Sequence, residues 1–123
     1  MRLKSHIWVS AYLRRLDAAF ISAVVVHRGN ADAGAIYIKV SRLDGTSQVY
    51  APLSAYLVET VPGDGLVLEE GRAWQAVYSA FTHEADADAY LSKQTSRDPD
   101  IWVLEVENPD GAHLLGEKSM AFS

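Results

Sequence analysis

A chain of 123 residues suffices for one domain that buries roughly two thirds of the surface its unfolded form exposes, so residues 1–123 are read as a single domain with about 117–123 as a frayed tail. The absence of cysteine excludes a disulfide framework, a thiolate nucleophile and a cysteine-ligated zinc or iron–sulfur site, and no apolar run approaches membrane-spanning length; the expectation is a soluble, cytoplasmic protein. The net charge of −5 is unevenly spread, with seven basic against two acidic residues over 1–42 and four against fourteen thereafter, although the two halves interleave within one domain.

Residues 5–20 read as an amphipathic helix, because Val9, Tyr12, Leu13, Leu16 and Phe20 repeat at helical spacing, with Ser5 as N-cap. Arg14 falls away from that stripe, and Arg15 is placed over Trp8 as a cation–π pair. Ala23–His27 is a β-branched run that suits a strand covered on both faces. The loop 30–34 would return it into Ala35 as an antiparallel neighbour.

Ala35–Ala51 carries the clearest signal. Asp44-Gly45 between two alternating runs predicts a hairpin with a two-residue type I′ turn, pairing Val40 with Val49 and Ile38 with Ala51. Ile36, Ile38, Val40, Val49 and Ala51 then share an apolar face, while Tyr37, Lys39, Ser41, Gln48 and Tyr50 share a mixed one. A one-residue slip would bury Lys39.

Residues 52–61 give no clear pattern, and Pro62-Gly63-Asp64-Gly65 is a turn. Leu66–Glu69 and Ala73–Phe81 form a second hairpin. Thr82 is the expected N-cap of a second helix with Glu84 and Asp86 in its first turn and Lys93 and Arg97 near its end, the charge order the helix macrodipole favours. Ala87, Tyr90, Leu91 and Gln94 would face the sheet, and Asp98-Pro99 stops the helix. Ile101–Glu107 is a strand with Trp102, Leu104 and Val106 on one face, and Ala112–Leu115 an edge strand. The expected fold is α+β: a mainly antiparallel sheet of about five or six strands with two helices packed on one face.

The pieces SHIWVSAYLRR, VVVHRGNADAGAIYIKV and RDPDIWVLEVE, in this order and in a chain of this length, resemble the short bacterial proteins of domain-of-unknown-function family 1491. The resemblance covers about residues 3–110. It implies a single small α+β domain and supplies no activity, cofactor or catalytic residue. Arg14, Arg15, Arg28, Gly29, Gly34, Asp98, Trp102 and Glu105 fall in the resembling pieces.

The standard reactive constellations are missing: no phosphate-binding G-x-x-x-x-G-K-[ST] loop, no H-E-x-x-H, no G-x-S-x-G elbow. His6, His27, His83 and His113 are scattered without ligand spacing. Asp98, Asp100, Glu105 and Glu107 are the one candidate set for a divalent metal, since Glu105 and Glu107 project from one strand face with α-carbons roughly 6.6 Å apart; the alternative is a helix stop and a solvated strand end. Arg14, Arg15 and Arg28 could hold a phosphate, yet an acidic chain without a basic, aromatic-interleaved stripe argues against nucleic acid.

Three tryptophans and six tyrosines favour a protein-interaction module, with a homodimer or another protein as partner. Trp8, Tyr37 and Tyr50 are the aromatic residues assigned to a surface, and the tail and residues 52–58 the open edges. No cofactor is expected. The alternative is a small metal- or phosphate-dependent enzyme built on the carboxylates or the arginines.

Overall fold

The structure, a computed structural model, describes residues 3–54, 65–69 and 71–116. In chain order it contains α1 (Ser5–Ala18), β1 (Ser22–His27), β2 (Ile36–Ser41), β3 (Thr46–Leu53), β4 (Leu66–Glu69), β5 (Arg72–Ala76), β6 (Thr82–His83), α2 (Glu84–Arg97) and β7 (Trp102–Glu107). The seven strands form one sheet in the order β1-β7-β2-β3-β5-β4, with β6 paired to β3. The fold is α+β and mainly antiparallel as expected, with β2 and β7 as a parallel pair.

β7 lies between β1 and β2, so β1 and β2 are not neighbours, and the antiparallel return expected through the loop 30–34 is not formed. Both faces of β7 explain its place. Trp102, Leu104 and Val106 belong to one core cluster, and Val103 with the preceding Ile101 to another. A strand apolar on both sides belongs inside a sheet covered on both sides.

The helices accordingly divide between the faces rather than sharing one. Trp8, Val9, Tyr12 and Leu16 of α1 pack on Ile36, Ile38 and Val40. Ala87 and Leu91 of α2 pack with Val49, Val103 and, at the margin, Tyr37. Successive strand residues point to opposite sides, which separates the two clusters.

The hairpin exists with its register displaced by one. Val40 pairs with Gln48, Lys39 with Val49 and Ile38 with Tyr50. The connection is three residues long: Arg42 N–H donates to Thr46 O at 3.1 Å, and Leu43 and Gly45 both take positive φ. Asp44 Oδ1 accepts from the Thr46 hydroxyl and from the Thr46 N–H at 2.9 Å; the hydroxyl first and the N–H second hold the Asp44 carboxyl below the usual range, with the Arg42 charge adding to it. Val49 therefore joins the Lys39 face and Tyr50 the Ile38 face. Lys39 is buried.

Ser5 is the first helical residue instead of the cap. Its Oγ donates to Gly34 O at 2.6 Å, while the Ser5 and His6 N–H groups reach Asp32 O and Ala31 O, so main-chain carbonyls satisfy the helix start. Thr82 likewise is no N-cap; it pairs with Ser47 in β6, and the Glu84 N–H goes to Gly45 O at 2.9 Å. The second hairpin forms as β4 and β5, its second strand ending at Ala76. Asp98 takes an extended conformation and ends α2. Residues 112–115 form no strand; they are anchored instead to α1, as described below. The turn expected at Pro62-Gly63-Asp64 lies outside the described residues.

Candidate interaction surface

β1 ends the sheet. It pairs with β7 from Ser22↔Glu107 to His27↔Val103, with a bulge at Val26, and no described strand pairs with its outer edge. The expected cover on both faces is absent: Val24 is 52% exposed and Val26 58%. A β-branched run reads alike for a covered strand and an open edge, and only the strand order distinguishes them. Exposed edges are ordinarily blunted by charge, proline or bulges; SAVVVH has only the bulge.

Phe20 stands at the head of this edge and is 97% exposed. α1 closes through Phe20 N–H to Asp17 O and Ile21 N–H to Leu16 O, which places Phe20 at φ 62°, where glycine is the usual residue. A bulky side chain in that conformation costs about 1–2 kcal/mol, and burial offsets none of it. The opposite edge, β4, has company: Gly116 N–H donates to Glu69 Oε2 at 2.9 Å, and a Cβ on Gly116 would lie 3.4 Å from Leu68 O.

Two unpaired charges flank β1. Trp8 and Arg15 of α1 both reach Glu69 of β4, the far end of the sheet, so the other flank of the helix, carrying Leu13 and Asp17, turns towards β1. Asp17 and Arg28 are both exposed, and neither has an ion pair among the described residues. The Arg28 guanidinium lies 5.1 Å from the Trp102 ring.

The residues singled out by sequence are dispersed. Trp8 is buried, stacked on Tyr12 at 4.8 Å, so it is not a surface residue. Arg15 does not lie over Trp8; it sits 5.5 Å from the Tyr12 ring, while Arg72 takes the Trp8 ring at 5.9 Å. Arg15 Nη2 donates to Glu69 Oε2 at 2.9 Å and to Leu114 O at 3.1 Å, and Tyr12 Oη donates to His113 O at 2.6 Å, anchoring 113–114 against α1 in place of an edge strand. Burial pushes the Tyr12 phenol well up. The Tyr50 ring lies 4.8 Å from that of His113 and is tilted against it by 54°. Tyr37 is half-buried beside Tyr90, its phenol raised by burial and by the Asp98 charge. Arg14 is exposed on α1, so the three arginines do not converge.

The carboxylates are separated too. Asp98 and Asp100 are exposed in the loop before β7, whereas Glu105 turns to Lys39. The Lys39 Nζ lies 2.7 Å from Asp88, 2.8 Å from Glu84 and 3.3 Å from Glu105. Burial alone would lower the Lys39 pKa, but the hydrogen bonds to Asp88 and Glu84 and the Glu105 charge outweigh it and hold the ammonium well above its ordinary range. Among the described residues, no group of three or more His, Asp or Glu is arranged to hold a metal.

The model of a family described as proteins of unknown function, DUF1491, matches residues 3–116. The chain belongs to the DUF1491 family. A crystal structure of a DUF1491 protein from Caulobacter crescentus CB15 is 34% identical, with 97% of this chain and all of that one covered and a TM-score of 0.73. The solution structure of Atu0922 from A. tumefaciens is 30% identical, covering 94% of each chain, with a TM-score of 0.73. No curated protein matches the chain.

In this DUF1491 chain the resembling pieces meet in one structural knot. Asn30 N–H donates to Asp100 O at 2.9 Å, Trp102 Nε1 donates to Asn30 O at 2.8 Å, and a Cβ on Gly29 or Gly34 would fall 2.2 or 2.4 Å from Asp100 O. Two loops and the start of α1 are thereby locked together. Sequence reasoning missed Phe20 and Val24–Val26 as a surface; the available signal was a helix that ends on phenylalanine without a following glycine.

Proposed function

We propose that this protein is an interaction module whose docking element is the outer edge of β1, which accepts an extended segment as an added strand. The exposed apolar residues Phe20, Val24, Val25 and Val26 along an open strand carry the reading. Main-chain groups on the outer side of β1 supply hydrogen bonds in register, and Val24 and Val25, on alternate faces, supply apolar contacts, which is how strand addition divides affinity from specificity. Phe20 supports it independently, since a strained, fully exposed aromatic residue contributes nothing to the isolated fold.

Neither the arginines nor the carboxylates support the enzymatic alternative, because Arg15 and Glu105 are each held by partners within the fold. The test is titration of isotope-labelled protein with the blocked peptide Ac-VTVTVT-NH2, followed by amide chemical shifts. Shifts confined to residues 20–28 are expected, and Val25→Pro, which removes an N–H on the outer side of β1 because the Val24 main chain pairs inward with Glu105, is expected to weaken them. Shifts centred on β4, or none at saturating peptide, would overturn the reading.

A further inference from the structure

Resting on that reading, we infer that the segment taken up by the β1 edge is the β1 edge of a second copy of this chain, joined antiparallel about a two-fold axis. Opposed residues in an antiparallel pair share a face, so a two-fold perpendicular to the sheet must pass through a residue paired with itself. With Val24 on the axis, Ala23 meets the partner's Val25 on the α1 face, and Ser22 lies opposite the partner's Val26. No like charges are opposed.

The flanks favour this occupant. The acidic end of the edge carries Asp17 and, across the strand pair from Ser22, Glu107; the basic end carries His27 and Arg28. Antiparallel self-pairing brings the basic end of each copy to the acidic end of the other. Asp17 and Arg28, which have no ion pair among the described residues, then face each other twice by symmetry. Phe20 comes opposite the Arg28 end and can cover it as a cation–π partner. One short strand per copy with these flanking groups falls below the roughly 800 Å² per partner of a standard interface, so the association is weak and concentration-dependent.

The experiment is light scattering of the full chain from about 10 μM to about 1 mM, a range bracketing weak complexes, on wild type, Asp17→Arg, Arg28→Asp and the double reversal. Val24→Cys, the sole cysteine in that variant, is oxidised in parallel. Mass rising towards twice the monomer is expected. Each single reversal should weaken association about tenfold, and the double reversal should bring it back to within about threefold of wild type, since each contact occurs twice. Val24→Cys should form an intermolecular disulfide, because self-opposed residues have α-carbons about 4.5–5.5 Å apart. A monomer at 1 mM that still binds Ac-VTVTVT-NH2 overturns the second-copy inference and leaves the docking edge standing. A monomer that also fails to bind the peptide overturns both. A dimer indifferent to the reversals and without the Val24→Cys disulfide overturns the inference by placing the contact elsewhere.

Discussion

Phe20→Gly is expected to make the isolated chain more stable, which few phenylalanine substitutions do. Phe20 sits at φ 62°, costing about 1–2 kcal/mol for a residue with a Cβ, and its side chain is 97% exposed, so truncation removes almost no buried surface. Glycine relieves the strain but adds about 0.5–1 kcal/mol of unfolded-chain entropy. The net expectation is a gain of about 0.5–1 kcal/mol, or roughly 2–5 °C in Tm for a domain of this size. Thermal unfolding at low micromolar concentration, where self-association is minor, measures it. Phe20→Ala is the control: it keeps the strain, loses the same negligible burial, and should leave Tm within about 1 °C. A fall in Tm for both variants would refute the reasoning, because it would mean that Phe20 makes contacts that stabilise the fold.

Lys39→Met keeps the stem but leaves Glu84, Asp88 and Glu105 facing one another; since all three are partly exposed, the loss should be about 2–3 kcal/mol rather than the 3–5 of a fully buried pair. Adding 1 M salt should narrow its gap to wild type in thermal unfolding. The Lys39 pKa is raised in the fold, so its contribution is complete below the unfolded value of 10.5 and fades only as pH rises through the higher folded value; the difference between wild type and Lys39→Met should therefore be flat from pH 7 to about pH 10, as followed by urea unfolding. Gly34→Ala and Gly45→Ala should separate sharply. A Cβ on Gly34 would lie 2.4 Å from Asp100 O, costing about 3 kcal/mol or more in denaturant unfolding, whereas Gly45 has open space around it and only its positive φ to violate, about 1–2 kcal/mol.

Where local chemistry decides structure, the sequence was legible. The stripe on α1 as far as Leu16, the Asp98-Pro99 stop and the alternation of β7 all describe residues adjacent in the chain, and the structure has them, although the helix ends at Ala18 and leaves Phe20 off the stripe. Non-local choices were not readable. The insertion of β7 beside β1 depends on cover for both faces of Trp102–Glu107, supplied by helices far away in sequence. Lys39 is stabilised by carboxylates 45, 49 and 66 residues distant, so its burial looked like an error of register. The one-residue displacement of the hairpin comes from Leu43 adopting positive φ, which leucine does not advertise. The same blindness hid Phe20, and with it the candidate surface: residues expected to bind, such as Trp8 and Arg15, are held inside the fold by Glu69.

The most direct test of the β1 edge as the docking element is backbone amide exchange of residues 22–27 at about 10 μM and about 1 mM wild-type protein, concentrations on either side of a weak self-association. Slower exchange at the higher concentration, confined to β1, is the result the account predicts. Exchange in β1 that is independent of concentration and unchanged by Ac-VTVTVT-NH2, or protection that appears in β4 instead, would contradict it.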